Sequence, residues 1–260
     1  MPQPMKDLLC TLLLILMIHS QPDQSETNNA AASHDGSENF KKRQLAFPRV
    51  KAAYQGTWKP MQKALQEAKI PVGSELLITA YKKEGMLEVW MKPKGAQRYQ
   101  LFRSYGFCAR SGGLGPKVQE GDYQTPEGFY EINAFNPQSN FHLSLGVSYP
   151  NTADLARSGT KKPGGEIYIH GNCVTVGCIP LTDEKIKEVY ILAVEARNAG
   201  QQHIPVYLFP FRMNEVNFEK NAKQFPQFRN FWASIKTGYQ YFESRKMLPK
   251  ISIKSGQYQI

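Results

Sequence analysis

The ten residues Ile169-His-Gly-Asn-Cys-Val-Thr-Val-Gly-Cys178 set a histidine, two glycines and two cysteines behind the short apolar run Ile167-Tyr168-Ile169. Alternation along a strand ending at His170 puts His170, Tyr168 and Glu166 on one face, with Ile167 and Ile169 on the other. His170, followed by Gly171, then projects into a loop mouth, and the loop from Gly171 to Gly177 can fold back to bring Cys178 against the imidazole. A helix read from Thr182 to Asn198, capped by Thr182 with Asp183 and Glu184 in its first turn, begins just beyond Cys178. A neighbouring base and a helix N-terminus are what lower a thiol's pKa and make it a nucleophile. Gly177 allows close approach of a substrate backbone, and the amides of Gly177 and Cys178 offer part of an oxyanion hole. On the residues alone this is acyl transfer through a thioester.

The other cysteines bear on which thiol is free. Cys10 lies in the N-terminal apolar run, which leaves Cys108, Cys173 and Cys178. An odd number in an oxidising compartment leaves a thiol unpaired. Cys173 is either a small buried residue or the partner of Cys108, and the second option makes Cys178 the sole free thiol. His170, Cys173 and Cys178 also read as three zinc ligands, but no second cluster supplies a fourth, so no metal or cofactor is expected.

Outward from this stretch, short runs rich in β-formers recur: Glu75–Tyr81, Met86–Met91, Tyr99–Cys108, Gly128–Phe135, His142–Tyr149, Glu166–His170 and His203–Phe209, separated by turn clusters such as Lys83-Glu84-Gly85. Val50, Tyr54, Trp58, Met61 and Leu65 recur at helical spacing, which predicts one or two helices with Pro60 opening the second. Phe228, Phe231, Trp232, Ile235, Tyr239 and Phe242 form a second helical stripe, read as packing, followed by a hairpin turned at Ser255-Gly256.

The N-terminus reads as export. Lys6 precedes the apolar run Leu8–Ile18, too short for the roughly 20 residues of a spanning helix, and Ser20 is a plausible cleavage residue. Residues 1–20 are thus a signal peptide, with a retained signal anchor as the alternative. Residues 21–45 are polar and poor in large apolar side chains, the composition of a disordered tether. The catalytic domain follows at 46–212, with a C-terminal helix and hairpin at 213–260 packed on it. With 260 residues and 41% hydrophobic content the chain can bury a core. Its formal charge of +10 suits anionic wall polymers or lipid head groups, and no interleaved Arg and aromatic run supports nucleic acid.

Two ordered motifs carry a family resemblance. "IHG" followed by "T-x-G-C-I", and upstream "GPKVQEGDYQTPEGFYEI" (Gly115 to Ile132), resemble the L,D-transpeptidase catalytic domain family (YkuD-like), closest to its YafK-like branch. The similarity runs from about Arg49 to Arg212. It implies an α+β fold, a β-rich mixed sandwich with N-terminal helices and a helix after the cysteine. It also implies Cys178 as nucleophile, His170 as base, Gly177 and Cys178 as oxyanion amides, and Thr175 as the family's Ser or Thr ahead of the Gly-Cys pair. Val176 stands where most members have His, and Pro180 where an Arg usually follows the cysteine by two. The implied substrate is a peptidoglycan stem peptide attacked at the L-centre carbonyl of diaminopimelate, with Arg110, Lys117, His142 and Tyr168 as candidate binding residues. The rival readings are a hydrolase of the same linkage, which detaches a wall-linked lipoprotein or trims a tetrapeptide, and a non-catalytic wall-binding protein. The expected location is the periplasm or cell envelope.

Overall fold

The structure is a computed structural model and describes residues 35–260. The export segment (1–20) and the first part of the tether (21–34) lie outside the described residues. The rest of the tether is not structureless: helix α1 (Asp35–Leu45) occupies it. Phe40 explains the difference. Its ring meets Phe135 edge-on at 5.0 Å, and Lys41 beside it reaches Glu195 at 2.6 Å, so a mostly polar segment still has an anchor.

Helix α2 (Pro48–Glu67) is one helix, not two, and carries Pro60 inside it. The proline removes one hydrogen bond and crowds the carbonyl a turn earlier. An uninterrupted buried stripe, Val50, Ala53, Tyr54, Met61 and Leu65, spans the break and holds both halves in register.

Three strands follow as an antiparallel meander, β1 (Glu75–Tyr81), β2 (Met86–Lys92) and β3 (Gln100–Gly106). Next come β4 (Gly128–Asn136), β5 (Ser144–Val147), the short helix α3 (Thr152–Ser158), β6 (Tyr168–His170), β7 (Ile179–Pro180) and helix α4 (Asp183–Asn198). Strand β8 (Pro205–Phe209) then inserts between β1 and β4, parallel to the first and antiparallel to the second. The result is one mixed eight-stranded sheet in the order β3-β2-β1-β8-β4-β5-β6-β7. Strand β4 has a register shift between Ile132 and Ala134, where it passes from pairing with β8 to pairing with β5. A bulge of this kind bends a strand and increases its twist.

Both faces of the sheet are covered, which is why β1 reads as a continuous apolar run. Leu76, Ile78 and Ala80 join the core under α2 and α4, while Leu77 and Tyr81 join a second core on the opposite face. Helix α4 is buried from Val189 to Ala196, each large apolar side chain contributing about 1.5–3 kcal/mol. Its one carboxylate in that stretch, Glu195, accepts the Tyr54 hydroxyl at 2.8 Å and pairs with Lys41. Thr182 caps the helix as expected, accepting from the Lys185 N–H.

The second face is covered by two C-terminal helices where one was expected: α5 (Glu215–Gln224), a 3-10 turn at Pro226–Phe228, and α6 (Arg229–Arg245). Of the predicted stripe, Phe231, Trp232, Ile235, Tyr239 and Phe242 form the buried side of α6, and Phe228 falls in the 3-10 turn ahead of it. The helix approaches β4 so closely at Gly238 that a Cβ there would lie 2.5 Å from the Phe129 ring. A hairpin of β9 (Ser252–Lys254) and β10 (Gln257–Gln259) closes the chain, and Tyr258 inserts against Phe129. No described helix is long and apolar enough to cross a membrane.

Candidate active site

The parallel pairing of β6 with β7 sets Ile169 beside Ile179 and His170 beside Pro180. One position back, the Tyr168 N–H points at Cys178 Sγ, 3.4 Å away. Tyr168 and His170, two apart on β6, share one face near the sheet's edge, and Cys178 stands immediately before β7. The Cys178 thiol donates toward the Glu166 carbonyl at 3.7 Å, and no hydrogen bond joins it to His170. Glu166 does not continue the strand as expected: its φ of 54° is left-handed, and it turns the chain into β6.

His170 is 2% exposed. Its Nδ1 contacts the Gly171 carbonyl at 2.5 Å, and Phe141 covers the ring at 4.8 Å. Burial lowers its pKa, opposed in part by the Gly171 carbonyl, which favours a protonated ring. The neutral imidazole is therefore the resting form near neutral pH, with one nitrogen held by Gly171. Burial also raises the Cys178 pKa, opposed by the Tyr168 N–H. The helix-dipole reading predicted the opposite sign. β7 and Leu181 stand between the thiol and the start of α4.

Thr175 organises the turn ahead of the thiol. Its hydroxyl accepts the Gly177 N–H at 3.1 Å and donates to the Cys178 carbonyl at 2.9 Å. The Gly177 amide is thus engaged within the turn. Gly177 has φ 142°, and a Cβ would meet the Gln124 carbonyl at 2.9 Å, so the turn needs glycine. Gly171 is packed as tightly, between Asp183 and His142.

Cys108 and Cys173 are disulfide-bonded, and Cys178 is the free cysteine among the described residues. The bridge ties the loop between His170 and Cys178 to the segment after β3, whose Cys108 N–H also donates to the Pro180 carbonyl.

The thiol stands where two cavities meet. The larger, about 730 Å³, is lined by Lys117, Tyr123, Phe141, Glu166, Tyr168 and the exposed Val176. The smaller, about 300 Å³, is lined by Lys82, Phe107, Arg110, Leu114, Thr125 and Phe225. Of the predicted binding residues, Tyr168 and Lys117 therefore line the larger cavity and Arg110 the smaller. Lys117 is 4% exposed and its ammonium is neutralised by Asp122 at 2.7 Å. His142 lines neither cavity; it sits behind Gly171, 3.8 Å from Asp183.

The floor of the smaller cavity rests on a buried ion pair that no local motif announces. Lys82 donates to the Gly115 and Thr125 carbonyls, each at 2.8 Å, and to Glu127 at 3.0 Å. Glu127, fully buried, also accepts the Gly115 N–H and the Trp232 indole N–H, each at 2.8 Å. Helix α6 is thereby hydrogen-bonded to the loop containing the TP motif. Burial lowers the Lys82 pKa, and Glu127 opposes that shift.

A buried histidine thus lies near the edge of a curled, helix-covered sheet, and the cysteine that is free among the described residues lines two cavities beside it. The sequence signature of the L,D-transpeptidase catalytic domain family (YkuD) matches residues 76–206. YafK of Escherichia coli (strain K12) is 35% identical over 189 residues, covering 72% of this chain and 74% of that protein. The chain belongs to the L,D-transpeptidase catalytic domain family, whose members are enzymes acting on peptidoglycan. Among solved structures, the helical cell shape determining protein Pgp2 (K307A mutant) of Campylobacter jejuni shares 19% identity at a TM-score of 0.42, with 70% of this chain and 72% of that chain covered. L,D-transpeptidase 1 of Mycobacterium tuberculosis shares 15% at 0.30, with 52% and 62% covered.

Proposed function

We propose that the protein is an exported cysteine acyltransferase that attacks the L-centre carbonyl of diaminopimelate in peptidoglycan stem peptides. The observation that carries this reading is the position of Cys178, the free cysteine among the described residues, between two cavities and within reach of the N–H of Tyr168, two residues before His170 on β6. A thiol and a neutral imidazole at rest suit general-base catalysis: His170 takes the Sγ proton as sulfur adds to the carbonyl carbon. The Cys178 N–H faces the developing oxyanion. As the tetrahedral intermediate collapses, the C–N bond breaks, the leaving amine takes the proton from His170, and a thioester remains. An incoming amine attacks that thioester, passes a proton to His170 and expels the thiol. The missing hydrogen bond between His170 and Cys178 accords with sites that tighten only with substrate bound.

Incubation of the full chain with purified muropeptides, read by mass spectrometry, tests the reading. The expected products are a Cys178-linked acyl adduct and crosslinked or exchanged stems, both absent in Cys178→Ala. Loss of the terminal residue with water alone as acceptor would make the protein a hydrolase of the same linkage. No adduct with any stem peptide would reject the assignment.

A further inference from the structure

The smaller cavity is lined in part by residues outside the span of the family signature: Gln224 and Phe225, at the end of α5, line it together with Phe107 and Ala109. Phe225 is held firmly there. Its ring stacks on Phe228 at 6.3 Å and meets Trp232 at 6.0 Å, and Trp232 is itself fixed to Glu127. Phe228 in turn sits over Gly115, where a Cβ would fall 2.4 Å from the ring. The wall is therefore a rigid aromatic stack rather than a loose tail.

The charges on this cavity are unbalanced. Lys82 is matched by Glu127. Lys83 and Arg110 have no carboxylate partner among the described residues: Lys83 donates to the Asn221 side chain at 2.7 Å, and Arg110 to the Lys83 and Glu84 carbonyls at 3.0 and 2.9 Å. These neutral acceptors orient both cations and leave their charge uncompensated. At about 300 Å³, the cavity is at the low end of small-ligand sites, which run from about 300 to 1,000 Å³.

We infer that Phe225 and Gln224 are specificity-determining residues, which restrict the smaller cavity to an amino-acid-sized amine carrying a carboxylate. The inference rests on the thioester reading above. In that reaction the leaving amine and the entering amine flank the same carbonyl carbon, one departing with the proton from His170 and the other surrendering a proton to it. Both pass through one subsite. The larger cavity then holds the acyl side of the stem, and the smaller admits a single amino acid in preference to a second glycan-borne stem.

The test uses the full chain with a stem peptide donor and a series of acceptor amines: D- and L-amino acids of rising side-chain size, and the same amines without the carboxylate. Wild type should favour carboxylate-bearing acceptors at least tenfold over their decarboxylated counterparts, and Arg110→Ala with Lys83→Met should erase that ratio. Phe225→Ala, or the milder Phe225→Leu, should move the preference toward larger side chains by about tenfold. Ala109→Leu, which adds bulk to another lining residue, should move it toward smaller ones. Phe225→Tyr should keep the wild-type profile. A purely structural role for Phe225 would lower every acceptor equally, and an unshifted profile in Phe225→Leu and Ala109→Leu overturns the inference. If wild type forms no acyl adduct at all, the failure lies with the thioester reading, since no acceptor ratio then exists.

Discussion

Thr175 donates its hydroxyl to the Cys178 carbonyl across 2.9 Å and so closes the turn on which the thiol rides. The same oxygen accepts the Gly177 N–H, so two backbone groups depend on one side chain. Thr175→Val keeps the shape and removes both bonds, at a cost of about 1–3 kcal/mol for polar groups left unpaired. Thr175→Ser should restore most of it. Thermal melts give the stability effect. Adduct formation with a stem peptide should slow in Thr175→Val and recover in Thr175→Ser.

The Cys108–Cys173 bridge separates two kinds of cysteine. Cys178→Ala should abolish turnover and leave the fold intact. Cys173→Ala should keep an alkylatable thiol at Cys178, but lose about 2–4 kcal/mol, because the bridge closes a loop of 65 residues. Denaturant unfolding of both variants, paired with intact-mass alkylation, checks this. Equal loss of turnover in the two would remove Cys178 from its special place.

The pH dependence has a defined sign. Burial raises the Cys178 thiol above its usual range near pH 8.5, so iodoacetamide labelling of the free enzyme should still be climbing at pH 9. Burial lowers His170 below about 6.5, so its base form persists under mildly acidic conditions and the acid limb of kcat/KM should fall below that value. His170→Ala should lose activity near neutral pH and recover part of it as the medium becomes alkaline. Because the folded chain holds His170 neutral while the unfolded chain binds a proton below pH 6.5, folding stability should also decline as pH drops through that window. A thiol already saturated with label at pH 7 would contradict this account.

Lys82 and Glu127 form a buried pair at 3.0 Å, and removing one partner strands the other. Lys82→Met or Glu127→Gln should each destabilise by about 3–5 kcal/mol. The double variant should cost less than the sum of the two. A double-mutant cycle by chemical denaturation reads the coupling.

Much of this molecule was legible before any coordinate. β1, β2 and β8 are dense in β-formers and bounded by turns, and α4 carries its cap, its acidic first turn and its period in plain view. The helices that escaped notice are α1, α3 and α5, short and mostly polar. The signals of α3 and α5 are local: the Asn151–Asp154 capping box and the Asn214 cap. Of the two readings around Pro60, the single helix holds, because a buried stripe outweighs the local break. In the site, Cys178 and His170 stood out through their spacing, and Thr125 lay within the TP motif. Lys82, Glu127 and Phe225 did not stand out, because their meaning comes from partners that are distant along the chain. The sign of the Cys178 shift was missed for a related reason: desolvation depends on everything packed around the sulfur.

The shared family span begins just inside β1 and ends at residue 206, within β8. The family signature therefore stops partway along a central strand, and the covering of one sheet face lies beyond it. A polypeptide trimmed to that span would bare Tyr81 and Phe129 to water and lose the indole that anchors Glu127. Such a fragment should clump rather than refold. The stretch that the signature covers and the stretch that folds as a unit are different lengths of this chain.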